Sequence, residues 1–366
     1  MKFSAERNEL LEAVSKLQKA VGSKTSMAVL EGVLVTAEPG KITLTSYNLE
    51  MGMRKELFAK CDEEGSIVIP ARLLSDILRR MNASQVIITT DKKLNCNIKC
   101  GDATFDIMGM AAEDFPEMPL VTEGHTVTAD GKVLVDMVRG TFFAAAQTEG
   151  IRPILTGINV SVENGVMQFV AIDGFRLAVR KQKVDISENI SFIVSGRAIS
   201  EAVKLIDENT DKVDINIGDN LVSFNIDGYE FISRLMEGEF VNFSKNLPES
   251  HKQRVVVNTR ELINTVERVS LIISESFSSP IRCYFNELNV VFTCATSVGR
   301  ATETFNTELE GENFEIGLNS RYLLEALKAA ETEKVQILFN GPNSGVLIEP
   351  IEGDDFMYMI MPMRLK

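Results

Sequence analysis

The stretch VIPARLLSDILRRM, residues 68–81, closes an apolar strand-like run and continues as an amphipathic helix. Its charges, Arg72, Asp76, Arg79 and Arg80, give it a net +2 in a 366-residue chain whose formal net charge is −14. The same pattern returns in VSGRAISEAVKLID (194–207) and GLNSRYLLEALKAA (317–330). In each copy a strand-like run meets a short turn and an Arg follows. Apolar residues at helical spacing come next, with a second cation seven residues after the first: Arg72 and Arg79, Arg197 and Lys204, Arg321 and Lys328. Seven residues make two helical turns, so each pair shares one face.

A second helix type also recurs three times, as SAERNELLEAVSKLQKA (4–20), TADGKVLVDMVRGTFFAA (128–145) and NTRELINTVERVSLI (258–272), with Ser4, Thr128 and Asn258 as predicted N-caps. The first series of helices begins near residues 71, 196 and 320 and the second near 7, 131 and 260. Both step by roughly 125 residues, an ordinary domain size. Alternating runs such as GINVSVENGVMQFVAIDG, with Gly, Asn or Asp turns, read as antiparallel hairpins. Each repeat is then strand, helix, three strands, and the same again. Acidic-aromatic runs ending in Pro, DFPEMP (114–119) and EFVNFSKNLP (239–248), predict domains at 1–120, 121–248 and 249–366. The expected fold class is α+β, with three similar domains.

Composition narrows the function. Hydrophobic content of 45% and charge of 25% suit a globular protein, and no window approaches 18 apolar residues, so no membrane span is expected. The opening MKFSAERNELL is charged, which points to the cytoplasm. Five cysteines without tight clustering suggest free thiols, and Cys96 and Cys100 lack the further ligands a zinc site needs. The two histidines, His125 and His251, stand in polar connectors, leaving little material for nucleophilic catalysis. No phosphate-loop or dinucleotide fingerprint appears, so neither a cofactor nor a catalytic site is expected. Asp173 and Arg176 in DGFR have the chemistry of an acid/base pair, but read more simply as a turn with an ion pair.

Charge points instead to a polyanion. The six helix windows together carry +5, which leaves −19 for the rest of the chain. Cations gathered on one class of element are the footprint of a nucleic-acid partner. At ~9 Å spacing, six helices side by side close a ring with almost no hole. Twelve give a centre line of ~34 Å and an opening of ~24 Å, room for a duplex about 20 Å across. Two copies of the chain could therefore encircle DNA, whereas one could not.

Three repeats, AIDGFRLAV (171–179), RPILTGI (152–158) and the ending MPMRLK (361–366) resemble the bacterial sliding clamp family, the beta subunit of DNA polymerase III, along the whole chain. The resemblance implies a head-to-tail homodimeric ring. Helices line its hole and antiparallel sheets form its outer wall. Such a ring tethers the polymerase to double-stranded DNA without sequence preference and without chemistry of its own. Implied partners are the polymerase III catalytic subunit, the clamp loader and other proteins carrying a clamp-binding motif. A three-domain scaffold that binds peptides but not DNA is the competing reading.

The resemblance also implies sites. Matching the family's peptide pocket are Leu155, Ile172, Gly174, Phe175, Arg176, Leu177, Val241, Phe277, Asn319, Tyr322, Val346, Met359, Ile360, Met361, Pro362, Met363, Arg364 and Leu365. Met357, Met359, Met361 and Met363 are adaptable thioether side chains suited to varied ligands. Members often have His where Phe175 stands, Pro at Val241, and an Arg and an apolar residue at Lys245 and Asn246. DNA-facing positions are Lys24, in VGSKTS, with Arg72, Arg79, Arg80, Arg197, Lys204, Arg321 and Lys328. Phe105 and Ile107 match one side of the subunit interface, and Leu271 and Ile272 the other.

Overall fold

The structure is a computed structural model that describes residues 1–22, 26–147, 152–244, 247–248, 250–273 and 279–365. Lys24, Lys245, Asn246 and Phe277 lie outside the described residues.

The first repeat runs β1 (Lys2–Glu6), α1 (Arg7–Leu17), β2 (Gly32–Glu38), β3 (Lys41–Tyr47), β4 (Met51–Phe58), β5 (Lys60–Glu63), β6 (Gly65–Pro70), α2 (Ala71–Arg80), β7 (Gln85–Thr90), β8 (Asn95–Cys100) and β9 (Ala103–Met108). The second runs β10 (His125–Asp130), α3 (Gly131–Arg139), β11 (Gly157–Glu163), β12 (Val166–Ile172), β13 (Arg176–Lys183), β14 (Ile190–Ser195), α4 (Gly196–Ala202), β15 (Lys212–Ile217), β16 (Leu221–Ile226) and β17 (Tyr229–Arg234). The third runs β18 (Gln253–Asn258), α5 (Thr259–Ser270), β19 (Ile281–Phe285), β20 (Asn289–Ala295), β21 (Arg300–Asn306), β22 (Leu309–Glu310), β23 (Phe314–Leu318), α6 (Ser320–Ala330), β24 (Lys334–Phe339), β25 (Val346–Pro350) and β26 (Phe356–Ile360). The expected unit of strand, helix and three strands thus occurs six times, with β5 and β22 as additions.

Two compact units result. One holds residues 1–132 and 197–235, and the other residues 133–196 and 236–366. They cut across the repeats because sheets do. In the first unit β4 pairs with β17, giving the eight-stranded order β10-β15-β16-β17-β4-β3-β2-β6 beside a five-stranded sheet β5-β1-β7-β8-β9. In the second unit β13 pairs with β26, giving β14-β11-β12-β13-β26-β25-β24-β18-β22 beside β21-β20-β19-β23.

Local chemistry explains the elements. Buried residues alternate with exposed ones along β10 and with chiefly half-buried ones along β18 and β20, the period-2 signature of a strand with one face in a core. Asn164 and Gly165, both at positive φ, form the two-residue turn between β11 and β12, a conformation these residue types tolerate. In α2 the buried residues Ala71, Leu74, Ser75, Ile77 and Leu78 make one stripe, and Arg72, Arg79 and Arg80 stand outside it. α1 packs on α2, and α5 on α6.

Two of the three predicted caps are corrected. Glu6, not Ser4, caps α1 by accepting from the Glu9 N–H. Thr128 is inside β10, where its hydroxyl donates to Asp214 at 2.7 Å. In both cases the strand runs straight into the helix, so the residue next to the first helical turn is two positions later than the sequence suggested. Asn258 does cap α5, accepting from the Glu261 N–H at 3.0 Å. Replacing Asn258 with Ala leaves that N–H without its partner, and should cost about 1 kcal/mol in a urea unfolding titration. An unchanged midpoint would show that the cap contributes nothing.

Candidate functional site

The site grows from the turn Asp173–Gly174–Phe175–Arg176, which follows β12. Gly174 sits at φ +89°, where a side chain would be strained. Asp173 Oδ1 accepts the backbone N–H groups of Phe175 and Arg176 at 2.9 and 3.0 Å, and Oδ2 accepts from Arg176 Nε at 3.0 Å. Arg176 is only 5% exposed. Its Nη1 pairs with Glu325, and its guanidinium lies 4.2 Å from the Tyr322 ring centroid and 5.6 Å from that of Phe143. A buried guanidinium needs such partners, because an uncompensated charge there costs several kcal/mol. This is the turn with an ion pair expected of DGFR, and Arg176 is tied up in it.

The turn projects Phe175 outward, 63% exposed. The final segment then crosses beside it. Met361 N–H donates to the Phe175 carbonyl at 2.8 Å, and Met363 N–H to the Gly317 carbonyl at 2.8 Å. A Cβ on Gly317 would fall 2.6 Å from the Met363 carbonyl oxygen and 2.8 Å from Leu365 Cδ2, so glycine lets the tail lie this close. Asn319 caps α6, accepting the N–H groups of Arg321 and Tyr322. Phe175, Arg176, Asn319, Tyr322, Met361, Met363 and Leu365 are therefore joined by one set of contacts.

Next to the turn, Leu177 pairs in register with Met359 and with Ile172. Leu177, Val179, Val170, Leu338, Leu347 and Met359 form an apolar cluster, packed by Ile172, Met357 and three residues of the connector, Phe240, Phe243 and Leu247. Val346 and Ile360 pair with each other one position out of phase with Leu347 and Met359. Strand alternation puts them on the other face of the sheet from Leu177. Leu155 and Val241 are half-buried, as is Pro362, while Arg364 is exposed. The expected set omits Val170, Val179, Leu338, Leu347, Phe240, Phe243 and Leu247. Alternation from Leu177 and Met359 would have found Val179, but nothing in EFVNFSKNLP reveals which strand it covers.

A cavity of about 320 Å³ continues along this face between Val179, Met357, Phe243, Leu247 and Pro350. Lys181 and Glu349 also border it. Burial raises the Glu349 carboxyl above its usual range, with a smaller opposing effect of His251.

The expected DNA-facing side chains are all exposed where described. Lys204 falls in a 3₁₀ turn after α4 rather than in the helix itself. Five α steps and two 3₁₀ steps still leave it within roughly 20° of Arg197 around the axis. Four of the cations have carboxylate neighbours: Arg79 with Asp76 at 3.7 Å, Lys204 with Glu201 at 2.7 Å, Arg321 with Glu325 at 3.0 Å and Lys328 with Glu267 at 2.6 Å. Among the described residues Arg72, Arg80 and Arg197 have no ion pair.

The expected interface residues sit at sheet and helix ends. β9, carrying Phe105 and Ile107, is the outermost strand of its sheet, and nearly all its residues are exposed. Leu271, 83% exposed, ends α5, followed by the half-buried Ile272. The five cysteines are free, and burial pushes the Cys96 thiol up to about 11, away from the thiolate a metal would require.

Three family profiles match this chain in succession. The DNA polymerase III beta subunit N-terminal domain matches residues 1–119, its central domain 128–242 and its C-terminal domain 244–364. The chain belongs to the DNA polymerase III beta subunit family. The beta sliding clamp of Bacillus subtilis is 29% identical, with all of both chains covered. That of Staphylococcus epidermidis is 28% identical, covering all of this chain and 99% of its own. The crystal structure of the DNA polymerase sliding clamp from Bacillus subtilis superposes with a TM-score of 0.94 at 28% identity and full coverage of both chains. A Pseudomonas aeruginosa sliding clamp bound to griselimycin superposes with a TM-score of 0.91 at 27% identity, again over the whole of both chains. Antiparallel sheets with helices packed on them, three times over, are therefore the family's fold.

Asp173 is the residue on which the turn depends. Asp173→Ala removes three hydrogen bonds and half of the Arg176 charge balance. It should destabilise the protein by about 3 kcal/mol. A loss under 1 kcal/mol in chemical denaturation would mean that Glu325 alone suffices.

Proposed function

We propose that this chain is a DNA sliding clamp. Two copies close head to tail into a ring through which duplex DNA passes. Residues 1–120, 121–248 and 249–366 serve as its three repeated domains. Arg72, Arg79, Arg80, Arg197, Lys204, Arg321 and Lys328 face the phosphates, and Lys24 belongs with them. Phosphate contacts carry no sequence information, so the ring slides. The observation that carries the reading is the threefold recurrence of exposed, same-face cations on the helices of a chain with net charge −14. Carboxylate neighbours on four of these cations weaken their pull on DNA, which suits enclosure better than tight binding. The ring has no chemistry of its own. No helix among the described residues is long and apolar enough to cross a membrane.

The groove of Ile172, Leu177 and Met359, with Phe175 and the tail at its lip, is the docking site for an extended apolar peptide from the polymerase, the loader and other clamp-binding proteins. Griselimycin, held by the Pseudomonas clamp, is a probe for it. Phe277, Lys245 and Asn246 complete its expected outline. The competing scaffold reading differs in one respect, since it gives the helix cations no task.

Loading onto nicked circular DNA should leave the protein retained, and linearisation should release it. Changing Arg72, Arg79, Lys204 and Lys328 together to Glu should abolish retention; undiminished retention would favour the scaffold. For the ring itself, β9 with Phe105 and Ile107 meets the partner subunit beside Leu271 and Ile272. Light scattering after size exclusion should report a dimer at micromolar concentration, and Leu271→Asp should shift it towards monomer. A monomeric parent protein would remove the ring.

A further inference from the structure

Arg321 projects from α6 with its side chain 73% exposed, and its Nε donates to Glu325 Oε1 at 3.0 Å, one turn further along. The other oxygen of the same carboxylate, Oε2, pairs with Nη1 of the buried Arg176. Arg176 reaches Asp173, and Asp173 holds the N–H of Phe175, whose carbonyl accepts from Met361. A continuous set of charge-assisted hydrogen bonds thus runs from the basic face of α6 to the lip of the groove. All of these residues belong to the same compact unit.

We propose that Glu325 couples phosphate engagement at Arg321 to peptide affinity at the Phe175–Met361 lip. The inference rests on the sliding-clamp reading and adds regulation to it. Glu325 divides its charge between two guanidiniums, one exposed and one buried, and each weakens its hold on the other. A DNA phosphate that draws Arg321 away leaves the carboxylate to Arg176 alone. Arg176 is then held more firmly over Tyr322, and through Asp173 the lip is better ordered before a ligand arrives. A pre-ordered site loses less entropy on binding. The coupling is therefore positive, and by linkage a ligand in the groove strengthens the DNA contact by the same factor. Glu325 touches neither DNA nor peptide; it is a positioning residue that acts through Arg176.

The test is calorimetric titration of the full chain with griselimycin at low salt, with and without saturating short linear duplex. In the parent protein the duplex should tighten griselimycin binding about fivefold, the lower end of usual coupling. Arg321→Ala, a change at an exposed position, should give the tighter affinity without DNA, and duplex should add nothing further. Glu325→Gln should abolish the effect of duplex. A purely structural role for Arg321 predicts no gain of affinity on its removal. If griselimycin and duplex both bind and neither duplex nor Arg321→Ala changes the griselimycin affinity, the relay is overturned and the clamp reading stands. Failure of griselimycin or duplex to bind at low salt would overturn this inference alone, because the clamp reading is decided by retention on nicked circular DNA and release on linearisation.

Discussion

Strand edges are the constraint on which this architecture depends. A sheet built from one half-repeat ends in unpaired N–H and C=O groups, and these must find partners, water or another chain. Between the first and second repeats β4 meets β17, and between the second and third β13 meets β26, so that two large sheets absorb edges that separate domains would expose. Isolated bridges cover two further ends: Val68 of β6 meets Met110, and Gly317 of β23 meets Met363. β9 is left nearly bare along its whole length. Where β13 meets β26, a turn of the second repeat and the tail of the third lie side by side, and the proposed groove is placed there.

Charge follows a different logic at the surface and in the interior. On the exposed helix faces the cations have carboxylates within reach or none among the described residues, and such pairs are worth little in water. They are available to a polyanion at small cost. Arg176 is the opposite case. Its burial makes both carboxylates, and the aromatic rings beside it, a condition of the local fold, so the same ion type that is dispensable on α2 is indispensable behind Phe175.

The helices, the strands beside them and the hairpins were legible because each is encoded locally. Apolar spacing in RLLSDILRR fixes a helix and the face it buries, and Asn164–Gly165 fixes a two-residue turn. Caps were less legible. Ser4 and Thr128 have good capping chemistry, but a strand that enters its helix without a linker moves the cap to the adjoining residue, as Glu6 shows. Of the groove, the residues in DGFRL and MPMRL could be read from family resemblance. Phe240, Phe243 and Leu247 could not, since an irregular connector has no periodicity to reveal which surface it covers.

The sequence by itself determined the repeated β-α-β-β-β unit, the cations on one face of its helices, and the tight turns, because each of these depends on residues within a few positions of one another. Only the tertiary structure decided that Glu325 lies between Arg321 and Arg176, that the tail reaches from Phe175 to Gly317, and that Val346 and Ile360 face away from Leu177 and Met359. Those relations join residues far apart in sequence, Arg176 and Glu325 being separated by 149 positions. They are settled by strand register and by the need to neutralise a buried charge, neither of which a local pattern records.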